Sequence, residues 1–74
     1  MDRLLHVTFG VHVPEDSMRS LLTGLGAAGN VRAMDKTNRQ YEVTVLHEAH
    51  VPHLQKKLLQ WEQYGFLRYE WVAP

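Results

Sequence analysis

The chain has 74 residues, no cysteine, and eight acidic side chains balanced by eight basic ones. A chain of this length forms a single domain over residues 1–74, and the lack of cysteine excludes disulfides and thiolate metal sites. The zero net charge argues against nucleic acid as a partner, because phosphate binding needs a basic surface.

The first part of the chain has the pattern of a strand followed by a helix. From Leu5 to Val13, apolar residues alternate with more polar ones, which predicts a half-buried strand that ends at Pro14. Proline is well placed in the first turn of a helix, and apolar side chains at helical spacing continue to Ala28. Gly29 and Asn30 indicate the end of this helix.

The rest of the chain predicts three more strands and a second helix. A short strand is expected at Val31–Asp35, and a polar turn at 36–39 joins it to a clear strand at Tyr41–Leu46. A second helix is expected at 52–64, followed by a glycine suited to a left-handed cap. The last strand runs from Phe66 to about Ala73.

The element order β-α-β-β-α-β predicts a ferredoxin-like α+β sandwich. Right-handed crossovers would place both helices on one face of a four-stranded antiparallel sheet. We expect the strand order 4-1-3-2, with the first and third strands central, adjacent and parallel to each other. The expected core consists of Val7, Phe9, Val11, Leu21, Leu22, Leu25, Val43, Val45, Leu54, Leu58, Trp61 and Tyr69.

The tripeptide His-Val-Pro occurs twice, beginning at His12 and at His50, each time between a predicted strand and a predicted helix. If the first and third strands are parallel, their carboxyl ends meet at one edge of the sheet. His12 and His50 should then lie close together, with His47 and His53 beside them. The sequence therefore predicts a cluster of four histidines at this edge.

Three interpretations of the histidine cluster remain open. Imidazole is the commonest protein metal ligand, so the cluster could bind zinc, copper or nickel. Two helix N-termini at the same edge could instead bind an anion through free backbone N–H groups. In the third interpretation, His12 and His50 are ordinary exposed residues that happen to precede Val-Pro.

The sheet face away from the helices is the second candidate site. It mixes apolar and polar side chains, and its two central strands lack the aromatic residues on which RNA-binding domains of this topology stack bases. We expect the partner to be protein, either a second copy or another chain, and not a membrane, since no apolar run could span a bilayer. The residues expected to contact it are Leu4, His6, Leu46, Phe66, Arg68 and Val72.

Catalysis has little support in the sequence. There is no cysteine nucleophile, the serines have no evident base, and the acidic residues are spread along the chain. We therefore expect a non-enzymatic, cofactor-free, cytoplasmic protein that acts as a regulatory or inhibitory partner. It would form a homodimer through the open sheet face or a sheet edge. The alternative is a ligand- or metal-responsive sensor domain that uses the four histidines.

Overall fold

The computed structural model describes residues 3–72 of the chain. This part contains four strands and two α-helices, with one turn of 3₁₀ helix at Glu48–His50. The elements are, in chain order, β1 (Arg3–Phe9), α1 (Glu15–Gly26), β2 (Gly29–Asp35), β3 (Gln40–Val45), α2 (Val51–Gln63) and β4 (Leu67–Val72). The predicted end of the last strand at Ala73 lies outside the described residues.

The four strands form one antiparallel sheet in the order β2-β3-β1-β4, which is β4-β1-β3-β2 when counted from the other edge. The architecture is α+β, with two helices and a four-stranded sheet. The prediction that the first and third strands are parallel was wrong, because Arg3 pairs with Val45 and Thr8 with Gln40. The physical reason is the turn at 36–39, which reverses the chain after β2, so that β3 runs against β1.

The core lies on one side of the sheet. Alternate strand residues such as Val7 and Val43 are fully buried, and they pack with Met18 and Leu25 of α1 and with the buried face of α2. The predicted core residues Leu21, Leu22, Trp61 and Tyr69 are partly buried against this cluster. The buried residues are Leu5, Val7, Phe9, Val13, Met18, Leu25, Val43, Val45, Leu54, Leu58 and Leu67.

The predicted burial of Val11 was wrong, since this side chain is 89% exposed. β1 ends at Phe9, and the chain then turns so that the Val13 N–H donates to the Gly10 carbonyl at 3.1 Å. The guanidinium of Arg39 holds this loop by donating to the carbonyls of Gly10 and Val13. The turn changes which residues face inward, so Val13 is buried and Val11 points to solvent.

Two glycines occupy positions where a residue with a side chain would be strained or would clash with its neighbours. Gly65, between α2 and β4, has a φ of 78°, as the expected left-handed cap requires. Gly29 begins β2, and a Cβ added there would lie 2.1 Å from the carbonyl oxygen of Thr44. The close approach of β2 to β3 therefore depends on the missing side chain at Gly29.

Candidate functional site

The open face is the side of the sheet that the helices do not cover. It is formed by alternate residues of the four strands, and the strand register arranges them in rows that run across the sheet. Three rows make up this face: Asn30–Thr44–Leu4–Val72, Arg32–Glu42–His6–Glu70 and Gln40–Thr8–Arg68.

The central row of the open face carries an ordered set of charges. Glu42 accepts a hydrogen bond from Arg32 Nη2 on Oε1 at 3.1 Å, and its Oε2 lies 3.1 Å from His6 Nε2. The His6 contact is a salt bridge only when the imidazole is protonated. The hydrogen bond from His6, followed by that from Arg32, lowers the pKa of the Glu42 carboxyl below its ordinary value. Glu70, on the other side of His6, completes the row at the β4 edge.

One flanking row carries the apolar strip of the open face, which consists of Leu4 and Val72 on neighbouring strands. Leu4 lies in the middle of this row, with Thr44 on one side and Val72 on the other, and all three are partly buried. On the opposite, helix-covered side of the same strands, the Arg3 guanidinium lies 5.0 Å from the centroid of the Trp71 ring and donates a 3.2 Å hydrogen bond to Glu48. The open face therefore combines a small apolar strip with an adjacent row of fixed charges.

The structure brings together four of the six residues predicted to contact a partner. Leu4, His6, Arg68 and Val72 lie on neighbouring strands of the open face. Leu46 and Phe66 do not join them, because β3 ends at Val45 and β4 begins at Leu67. Leu46 and Phe66 instead lie beyond opposite ends of the sheet, where their side chains are 44% and 38% exposed.

The predicted cluster of four histidines is not formed. Because β1 and β3 are antiparallel, their carboxyl ends lie at opposite ends of the sheet. His12 follows β1 and lies beside Gly10, where an added Cβ would be 2.7 Å from the ring atom Cε1. His47 and His50 are at the other end, with ring centroids 5.5 Å apart. His53, in the first turn of α2, is near His50 at a shallow cavity of about 310 Å³.

The antiparallel directions of β1 and β3 also affect the metal and anion interpretations of the predicted histidine cluster. Among residues 3–72, no group of three or more His, Asp or Glu side chains has a geometry that could hold a metal ion. The N-termini of α1 and α2 lie at opposite ends of the sheet, so they cannot form one anion site. All four of these histidines are exposed.

Sequence reasoning missed Arg32 and Glu70 as members of the site. The strand containing Arg32 shows little hydrophobic pattern, and the alternation of the last strand does not indicate what Glu70 contacts. A signal was available for Arg32, because a turn at 36–39 places this residue opposite Glu42 in an antiparallel hairpin. The contribution of Glu70 depends on the register of β4 against β1, which places Glu70 opposite His6.

No protein-family model, curated protein or solved structure matches the chain. Within residues 3–72, neither helix combines the length and the apolar composition needed to cross a bilayer.

Proposed function

We propose that this protein is a small, non-enzymatic protein-binding module of ferredoxin-like topology that self-associates through the open face of its sheet. The β-α-β-β-α-β order and a single core on one side of the sheet support this topology. The activity we assign is contact with protein, as a regulatory or inhibitory partner, and no chemical turnover is involved.

The observation that carries the proposal is the composition of the open face. Leu4 and Val72 are adjacent in register and lie next to the ordered row that contains Glu42. Burial of apolar surface would drive association, and the fixed charges would select the partner and its orientation. A domain of this size buries a modest share of its surface on folding, so a second copy would also add stability.

The open face is favoured over the sheet edges as the contact surface. The free edges are β2 and β4. A register shift between Ala33 and Asp35 interrupts pairing in β2, and β4 carries the exposed charged residues Arg68 and Glu70. Bulges and charged side chains are features that oppose edge-to-edge pairing.

A charged substitution on the open face tests this proposal. Leu4→Asp should abolish self-association, because it places a carboxylate within the apolar strip. Leu59→Asp is the matched control, since Leu59 is 47% exposed on α2 and lies away from the open face. Sedimentation equilibrium should show a dimer for the wild type and for Leu59→Asp, and a monomer for Leu4→Asp, with circular dichroism confirming that all three are folded.

Two outcomes would contradict the proposal in different ways. A wild-type chain that stays monomeric at high micromolar concentration would contradict the proposed self-association. Dimerisation of Leu4→Asp as strong as that of the wild type would show that the open face is not the surface used.

The rival function is a metal-responsive domain that uses the histidines near the start of α2. The observation favouring it is the neighbouring pair of rings at His47 and His50. Under this rival, zinc, copper or nickel raises the melting temperature of the protein by mass action. Replacing His47 and His50 with alanine should abolish that rise, whereas His12→Ala at the far end of the sheet should not. A melting temperature that none of the three metals changes would contradict the metal-responsive function.

A further inference from the structure

We propose that a second copy of this chain covers the open face, and that the two-fold axis of the dimer runs parallel to the strands. This inference rests on the proposed function and deepens it, because it fixes both the partner and the geometry. It follows from the order of charges in the central row, which is positive at the β2 edge and negative at the β4 edge.

The charges of the central row are complementary to those of a second copy in which the order of residues across the sheet is reversed. A two-fold axis between the stacked sheets and along the strands reverses the order of residues across the sheet but leaves each row at its own level. Arg32 then faces the partner's Glu70, and Glu42 faces the partner's His6. Because the axis is two-fold, each of these contacts occurs twice.

The other axis in the plane of the sheet gives the opposite result. A two-fold axis that lies across the strands through the central row places Arg32 against the partner's Arg32. It also places Glu42 against the partner's Glu42, and Glu70 against the partner's Glu70. Like charges brought together in a contact oppose association, so the charge pattern selects the axis along the strands.

Arg32 can contact the partner's Glu70 without losing its hydrogen bond to Glu42 within the subunit. Arg32 donates one hydrogen bond to Glu42 and its guanidinium has five N–H donors, so it can bind a second carboxylate. Its side chain is 71% exposed. Stacked sheets are about 10 Å apart, a gap that a long arginine and a long glutamate can bridge from the two sides.

The flanking rows are compatible with the same axis. Leu4 faces the partner's Thr44 and Thr8 faces the partner's Gln40, so these central positions bring no charges together. Aligned sheets pack with their strands within about 30° of each other. The proposed arrangement is therefore an aligned stack of two sheets, with the apolar strips of both copies at one end.

Charge reversal at the two ends of the row tests the axis. Arg32→Glu alone should weaken the homodimer by about tenfold or more, because two glutamates then face each other. Glu70→Arg alone should weaken it in the same way through facing arginines. When the two variants are mixed, the glutamates at positions 32 and 70 of one copy face arginines at positions 70 and 32 of the other, so a heterodimer should form that native mass spectrometry distinguishes from both homodimers.

A milder variant keeps the test valid if charge reversal prevents folding. Glu70→Gln removes one partner of the proposed contact and should weaken the dimer, whereas it would strengthen a dimer in which Glu70 faces Glu70. If the wild type dimerises but the mixture gives no heterodimer, or if Glu70→Gln tightens the dimer, the proposed axis is overturned and protein binding still stands. A strictly monomeric wild type would overturn both the axis and self-association.

Discussion

Glu42 is the residue whose chemistry organises the open face, since both of its carboxylate oxygens are engaged. Contacts with His6 and Arg32 lower its pKa in the folded chain. A carboxyl with a lowered folded pKa stabilises the fold at pH values above its unfolded pKa, about 4.3 for glutamate. That contribution is lost as the pH falls through the lowered folded value.

The acid sensitivity of the fold should therefore depend on Glu42. Urea unfolding of the wild type should show a free energy of unfolding that falls as the pH is lowered below about 4.3. Glu42→Gln should reduce this slope without removing it, because hydrogen bonds from Asn38 also lower the pKa of Asp35. Glu62→Gln, at an exposed position on α2, is the control. An acid slope equal in Glu42→Gln and the wild type would contradict the assignment.

At the scale of elements, the position of β2 depends on one absent side chain. Gly29→Ala should destabilise the protein by about 1–3 kcal/mol, because the added Cβ would overlap the Thr44 carbonyl and push β2 away from β3. Gly26→Ala is the matched control at the end of α1, where an added Cβ meets no atom within 4 Å. It should be neutral or stabilising by up to about 1 kcal/mol.

Urea denaturation of the two glycine variants measures this difference directly. Equal stabilities of Gly29→Ala and Gly26→Ala would show that β2 can move away from β3 without loss of stability. A loss for Gly29→Ala alone would confirm that the contact with Thr44 fixes the hairpin.

The ends of the strands show where local sequence patterns stop predicting the structure. Alternation correctly predicted a first strand, but it continued the strand to Val13, whereas the chain turns after Phe9. The turn is held by Arg39, which is 29 residues from Gly10 in sequence, so no local pattern could reveal it. The segment Val31–Asp35 has only a weak hydrophobic pattern, yet it belongs to strand β2, because pairing with β3 supplies its backbone hydrogen bonds.

At the scale of the whole molecule, stability depends on the single core between the helices and the sheet. Leu58→Ala should lower the free energy of unfolding by about 2–5 kcal/mol, because Leu58 is fully buried in that core. Its neighbour Leu59 is 47% exposed, so Leu59→Ala should have little effect. Thermal and urea unfolding of the pair measures this, and similar losses for both variants would contradict the assigned face of α2.

The direction of one strand decided how much of the site could be predicted. The alternation of Leu4, His6, Arg68 and Val72 placed them on a common face, and the structure agrees. The histidine cluster failed because His12 and His50 are similar in sequence context but follow strands of opposite direction. Strand direction depends on how the chain returns after each element, so the information lies in the turn at 36–39 and not in the residue types around His12 and His50.

The contact made by Arg39 also has a consequence for the order in which the molecule folds. Its carbonyl partners at Gly10 and Val13 are far away in sequence, so we expect the contact to form after β3 has docked on β1, when the entropy of closing the intervening chain has already been lost. The loop at 10–14 is thus held by Arg39 from the hairpin in addition to its own hydrogen bond between Val13 and Gly10. In native-state hydrogen exchange, the Val13 amide should become accessible when the turn at 36–39 opens, even while β1 itself remains protected.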